Sequence, residues 1–191
     1  MQAPKISVII PTLNEEKYIG HLIEKLLPAT GVEIIVSDGG STDLTPEICR
    51  AYPIKFTAGE TGRGRQMNRG AGLGEGDVFF FLHADSDFDP AVFSHIRQAV
   101  GKGSSWGCCT MGFDQKGFIY SCLAFTAWLR ARIFSSCYGD QGIFCVRKLF
   151  FQVGGFPECP ILEDLVFSRH VRKYEKAALL PGRITTSARR F

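Results

Sequence analysis

Short, mostly apolar runs that lead into polar or acidic residues constrain this chain most. "KISVII" (5–10), "VEIIVSD" (32–38) and "DVFFFL" (77–82) are too short for helices. They lack the alternation of a half-exposed strand, so they read as parallel strands buried on both faces. The first stops at Pro11. Between the first two, Ile19, Leu22, Ile23, Leu26 and Leu27 recur at helical spacing. Thr12 with Glu15 fits a capping box for that helix, and Asn14 is the alternative cap. "GGSTD" turns the chain into a helix with Pro46 in its first turn, and "IKFTA" is a weaker third strand. The glycine-rich "GRGRQMNRGAGLGEG" holds a helix from about Arg65 to Leu73. Strand and helix alternate, which predicts a parallel α/β sheet flanked by helices. Ligands of such sheets bind beyond the carboxyl ends of the strands. His83, Asp85 and Asp87, which follow "FFFL", are therefore expected at a rim open to water and ligand.

The second half is less regular. "DPAVFSHIRQAV" (89–100) reads as a helix starting near Asp89, "SSWGCCTMGFD" and "GIFCVRK" as strands, and "ILEDLVFSRHVRK" as a helix. With no internal repeat or low-complexity linker, residues 1–191 are expected to form one domain. Residues 1–88 and 89–191 are its two halves. A helix is expected over 117–135, apolar nearly all round and without an acid. It reads first as a helix covering the core; the alternative is a membrane surface or a lipid-linked acceptor. The longest apolar stretch, 117–129, is too short to span a bilayer.

A net charge of +3 is too small to argue for nucleic acid. Seven basic residues against Glu175 in 169–191 suit an anionic ligand or membrane surface, or simply a solvated helix face. The seven cysteines show no CxxC spacing, which suggests neither a zinc site nor a disulfide framework. Buried free thiols of a cytosolic protein are expected. The first ten residues, "MQAPKISVII", do not read as a signal peptide.

Each acid has a structural reading. Asp38 and Asp43 can shape a turn, Asp87 and Asp89 can start a helix, and Glu163 with Asp164 can fill an acidic first helical turn. Together they suit another chemistry. Carboxylates at a strand end are hard ligands for Mg²⁺ or Mn²⁺ held jointly with phosphates. The loop with Arg63, Arg65 and Arg69 offers cations and glycines to an anion. Glu163 and Asp164 offer a general base if they face the same cleft.

"SVIIPTLNEE", "VEIIVSDGGSTD", "FFFLHAD" and "ILEDLVFSRHVRK", in that order, resemble a family-2 glycosyltransferase of the GT-A fold. That fold is Rossmann-like, with a central, mostly parallel mixed sheet flanked by helices. "GRGRQMNRGA", "LHADS", "YGDQGIF", "VGGFP" and "TSARR" are similar to a bacterial subgroup named arsenosugar-biosynthesis-type glycosyltransferases. The resemblance implies a nucleoside-diphosphate sugar as donor and Mn²⁺ or Mg²⁺ as cofactor. It puts Pro11, Thr12 and Glu15 at the base and ribose, and Asp38 at the base. Arg65 and Asn68 fall near the nucleotide, with Arg65 on phosphate. The family's D-x-D motif falls on His83-Ala84-Asp85, so Asp85 is the implied metal ligand, and His83 replaces the first aspartate. That histidine can bind metal or ribose, or simply pack; a nitrogen ligand favours Mn²⁺. Asp164 matches the expected catalytic base, with Glu163 as a supporting acid. "SARRF" resembles an Arg-Trp diphosphate clamp, which makes Arg190 a phosphate ligand. Relatives of the subgroup usually continue beyond this point.

The implied reaction is inverting transfer of a sugar to an acceptor hydroxyl, by a cytoplasmic protein or one at the inner face of the membrane. The alternative is a catalytically inactive nucleotide-sugar-binding protein of the same fold, which His83 makes conceivable. A nucleotidyltransferase needs a glycine-rich phosphate loop where this chain has "PTLNEE", and no G-x-G-x-x-G follows the first strand.

Overall fold

The computed structural model describes residues 3–113, 115, 117–159 and 161–186, with only the backbone at 118, 121 and 186. One eight-stranded sheet runs through them. Its first half is the expected alternation: β1 (Ile6–Thr12), α1 (Ile19–Leu26), β2 (Val32–Asp38), α2 (Thr45–Arg50), β3 (Lys55–Ala58), α3 (Arg63–Leu73) and β4 (Val78–Phe81). The second half holds β5 (Asp87–Phe88), α4 (Val92–Gly101), β6 (Trp106–Phe113), α5 (Phe118–Phe134), β7 (Ile143–Val146), α6 (Arg147–Gln152), α7 (Glu163–Val171) and β8 (Ala178–Thr186). A 3-10 turn, Gly139–Gln141, precedes β7.

The strand order is β3-β2-β1-β4-β7-β6-β8-β5. β3, β2, β1 and β4 pair in parallel, so Thr12, Asp38 and the residues after Phe81 share one edge. β7 runs antiparallel to β4, with Ile143 opposite Phe81. The 3-10 turn before β7 therefore arrives at that same edge. β6 is antiparallel to β7 and parallel to β8, and β5 is antiparallel to β8.

The period-two side-chain alternation of strands builds a core on each face. Val8 and Ile10 of β1 pack with α1, α2 and α4. Ile9, Phe79 and Phe81 pack with α3, α6 and α7 on the other face. There Phe81 meets Phe156 edge-on at 4.8 Å, and Phe156 stacks on Phe167 at 4.3 Å. These rings tie the strand that leads to His83 to the helix that starts with Glu163.

The structure corrects several local expectations. β1 runs through Pro11 to Thr12, opposite Ser37 and Asp38, because a proline near a strand end sacrifices little of the ladder. No side chain caps α1, which starts at Ile19 behind Tyr18. Thr12 and Asn14 are engaged elsewhere. α3 starts at Arg63, half a turn earlier than expected. β8 lies where the sequence shows no regular strand pattern, because Pro181-Gly182 interrupts it. The pair occupies a bulge where the register passes from Cys109↔Leu180 to Thr110↔Arg183. α5 does cover β6, with Tyr120, Leu123, Ala124 and Ala127. Ala127 packs on Met111 and Phe113, while Ile119, Phe125 and Ile133 face outward.

Candidate active site

Two loops form one wall of a cleft at the carboxyl edge. Residues 12–16 are laced to residues 38–45. Thr12 Oγ1 donates to Asp38 Oδ1 at 3.0 Å. The Asn14 amide donates to Ser41 Oγ at 2.8 Å, and the Thr42 amide donates to Asn14 Oδ1 at 2.9 Å. The Glu15 amide donates to Thr45 Oγ1 at 2.8 Å, and the Glu16 amide to Asp43 at 3.1 Å. Asn14 adopts a left-handed φ of 54°, a conformation that Asn tolerates. Asp38 is buried at the end of β2. Its carboxylate also accepts from the Gly40 and Ser41 amides and the Ser41 hydroxyl. It organises this wall and does not line the cavity.

The opposite wall comes from α3 and the start of α7. Arg63 and Gln66, three residues apart, share one face of α3 and point into the cleft. Gln66 Nε2 donates to the carbonyls of Thr12 (2.7 Å) and Ser37 (3.1 Å), fixing α3 to the ends of β1 and β2. Arg63 donates to Glu163 Oε1 at 3.1 Å. Glu163 is only 2 % exposed, so this cation compensates a carboxylate that would be costly to bury alone. Arg65 lies about 200° around the helix from Arg63. It pairs with Glu60 at 2.6 Å and Glu158 at 2.9 Å, outside the cavity lining. Asn68 is a clamp: it exchanges two hydrogen bonds, 2.8 and 2.9 Å, with the backbone of Phe156. The sequence reading singled out Arg65 and Asn68, whereas Arg63 and Gln66 line the cleft. Helical spacing from the true start of α3 is the signal that separates them.

The floor is the end of β4. His83 lines the cavity, and Asp85 is largely buried two residues on. Gly139 packs between this floor and α7. A Cβ there would lie 2.7 Å from His83 Nε2 and 3.5 Å from Asp164 Oδ2. The Gly139 amide donates to Asp164 Oδ2 at 2.7 Å, and the Leu165 amide to Oδ1 at 2.7 Å. Asp164 is thus held by backbone on both oxygens, in the first turn of α7, where the helix dipole favours an anion. Leu162, which precedes this turn, has a left-handed φ of 63°. The sequence marks "YGDQG" (138–142) as a wall of the cleft or an ordinary loop before a strand, but not Gly139 within it, which carries no chemistry of its own.

Together these walls enclose about 550 Å³, lined by Pro11, Thr12, Glu15, Arg63, Gln66, His83 and Glu163 among others, with Leu13, Ile161 and Leu162 as an apolar rim. Asp87 points away: it pairs with Lys25 and accepts from the Phe88 amide. Arg190 lies outside the described residues. Among those residues, no group of three or more His, Cys, Asp or Glu side chains is placed to hold a metal ion alone. Asp85 with His83 fits a cation shared with a phosphate ligand, because Mg²⁺-type sites take one or two carboxylates and draw the rest from phosphate and water.

A nucleotide-sized cleft at the carboxyl edge of such a sheet matches what comparison finds. The family model described as Glycosyl transferase family 2 matches residues 7–147. The chain belongs to glycosyl transferase family 2. Within that family, the dolichol-phosphate mannosyltransferase of Pyrococcus furiosus is 35% identical over 109 residues, covering 52% of this chain and 31% of that protein. Staphylococcus aureus TarS 1–349, solved with UDP, superposes with a TM-score of 0.77 at 25% identity, over 96% of this chain and 60% of that one. The mannosyltransferase PcManGT of Pyrobaculum calidifontis, solved with GDP-Man and Mn²⁺, shares the fold with a TM-score of 0.71 at 18% identity, over 97% and 57% of the two chains. The chain thus spans about a third to three fifths of the length of these relatives. The GT-A fold of these family-2 neighbours is the one seen here.

Proposed function

We propose that this chain is a metal-dependent, inverting glycosyltransferase that moves a sugar from a nucleoside-diphosphate sugar to an acceptor hydroxyl. One observation carries the reading. A backbone-held carboxylate, Asp164, and His83 meet across Gly139, with Asp164 just behind the lining of the cleft that His83 and Arg63 share.

The base and ribose lie against Pro11, Thr12 and Glu15, with Asp38 acting through the loop it holds. Arg63, released in part from Glu163, faces the diphosphate. Asp85, with His83 beside it, would hold a divalent cation, which neutralises charge on the departing diphosphate. The acceptor oxygen attacks the anomeric carbon while the carbon–oxygen bond to the diphosphate breaks on the opposite face. Asp164 takes the acceptor's proton, and the nucleoside diphosphate leaves with the bonding pair. No covalent enzyme intermediate forms. Glu163 positions Arg63, and in-line placement of donor and acceptor supplies much of the rate.

The UDP and GDP-Man of the structural relatives support a nucleotide-sugar donor, and the Mn²⁺ of one supports the cation. Motifs such as "LHADS" and "YGDQGIF" support the arsenosugar-type subgroup. The lipid substrate in the name of the Pyrococcus relative, with the outward apolar residues of α5, supports a lipid-linked acceptor. Asp164→Asn tests the reading. UDP- and GDP-sugars are screened with Mn²⁺ for binding and for release of nucleoside diphosphate. The variant is expected to bind donor as the parent does and to lose about 10²–10⁴-fold in turnover. Donor binding without turnover in the parent would assign the chain to the inactive, nucleotide-sugar-binding class.

A further inference from the structure

α5 carries large apolar side chains on both faces. A surface helix ordinarily turns its large apolar residues to the core. Here Tyr120, Leu123, Ala127 and Ala131 face inward, and Ile119, Cys122, Phe125, Leu129 and Ile133 face out. Ile119, Phe125 and Ile133 are 71%, 58% and 59% exposed. Positions 119, 122, 129 and 133 follow helical spacing, so they form a continuous stripe along one face, flanked by Phe125. Contiguous apolar surface of this kind marks an interaction site.

The margin of the stripe is basic and aromatic. Arg132 is exposed on α5 and the helix holds no acid, while Arg130 is turned to the 136–141 segment, against the Ser136 carbonyl and the Tyr138 ring. At its end, Arg172 donates to the Phe134 carbonyl at 3.1 Å, and Arg169 and Lys173 near it in sequence are exposed. The nearby acid, Glu175, is turned inward onto the Ser105 amide. Trp128 stacks on Phe125 at 5.7 Å and lies under the Arg132 guanidinium at 5.4 Å. An isologous contact between two copies would bring the same basic margin of each to one interface, which like-charge repulsion opposes. An anionic bilayer accepts both parts: the apolar face enters the acyl boundary while arginines and Trp sit at the headgroups.

We propose that the outer face of α5 docks this protein on an anionic lipid surface, with the helix lying in the plane of the membrane. At 17 residues α5 is about 25 Å long. No helix among the described residues is long and apolar enough to cross. Phe134 and Gly139 are five residues apart, at most about 17 Å of chain. Docking therefore brings the Asp164 side of the cleft close to the lipid, a consequence that rests on Asp164 being the base.

The test is co-sedimentation of the full chain with phosphatidylcholine vesicles, with and without phosphatidylglycerol. Binding is expected on the anionic vesicles and is expected to fall with salt. Arg132→Gln should weaken it about five-fold. The double variant Phe125→Asp/Ile133→Asp should abolish it, with circular dichroism, thermal midpoint and donor binding in solution unchanged. Two site readouts accompany it. Of the two tryptophans, Trp106 is already buried, so a blue shift of emission on binding reports Trp128. Vesicles should also protect Cys122 from a water-soluble maleimide while Cys159 labels as before. Absence of binding to anionic vesicles, or equal binding by the double variant, overturns the proposal. A dimer that the double variant abolishes, without vesicle binding, assigns the face to a second copy instead. Because donor binding is read separately, loss of docking and failure of the glycosyltransferase reading are told apart.

Discussion

Gly139 occupies a position that a side chain cannot share with its neighbours. A methyl group there would crowd His83 Nε2 at 2.7 Å and approach Asp164 Oδ2. Gly139→Ala must displace either the floor of the cleft or the carboxylate. Misplacement of reacting groups by about 1 Å costs about 10²-fold in rate. The expected result is a turnover loss of that order with little change in thermal midpoint, measured by steady-state kinetics and calorimetry. The two arginines of α3 make a sharper pair. Arg63→Ala removes the cation that faces the cleft and leaves Glu163 buried without its ion pair, so donor KM should rise by about ten-fold or more. Arg65 pairs with exposed acids, so Arg65→Ala should leave donor KM unchanged and stability within about 0.5 kcal/mol. Equal KM effects of the two variants would refute the assignment of roles.

At the scale of elements, the sheet is pinned at its opposite edge. Glu33 of β2 accepts from the Ser7 hydroxyl at 2.5 Å and from the amides of Glu75 and Gly76 at 2.7 and 2.8 Å. Lys55 of β3 pairs with it at 3.1 Å. Burial alone would raise its pKa, but the Ser7 and Glu75 hydrogen bonds and Lys55 outweigh burial and hold it down at about 2. A carboxyl whose pKa falls on folding adds stability that is complete above its unfolded value, near 4.5, and is lost as pH falls through 2. The contribution is at most about 3 kcal/mol. Urea unfolding should therefore show stability dropping from pH 5 to pH 2, with a shallower drop in Glu33→Gln. The thiols sit on elements in the same way. Burial pushes Cys49 up to about 12 and raises Cys109 and Cys145, so these stay protonated and inert.

Across the whole molecule, β4, β7 and β6 join residues of the first half to the second in one hydrogen-bonded sheet. The Phe81–Phe156–Phe167 stack adds a second connection from β4 to α7. Neither half buries its sheet edge alone, so unfolding should be a single cooperative transition. Urea curves from tryptophan fluorescence and far-UV circular dichroism should coincide. Two separated midpoints would mean that residues 1–88 and 89–191 unfold as independent units.

Much of this architecture is legible in the chain. Apolar runs long enough only for strands, alternating with helical periods, specify the parallel half and its ligand edge. The same logic places His83 and Asp85 at the rim and Glu163 and Asp164 in a first helical turn. These are local properties of hydrophobic period and of where strands and helices end, although Asp85, Glu163 and Asp164 are themselves buried there. Contacts between residues far apart in sequence decided the rest. Asp38 turned inward because Thr12, Gly40 and Ser41 offered it donors. Arg63 rather than Arg65 entered the cleft because α3 began two residues early, and a helix rotates 100° per residue. β8 formed through Pro181-Gly182 because a bulge against β6 absorbs what a regular ladder excludes. α5 shows a core-covering helix in sequence, but only packing on β6 revealed that Tyr120, Leu123 and the alanines make the contact while Ile119, Phe125 and Ile133 remain outside. Sequence by itself determined which segments are strands and helices and where charge gathers, because burial period is written locally. Tertiary structure decided which charge meets which, because that depends on helix rotation and strand order set by the whole sheet.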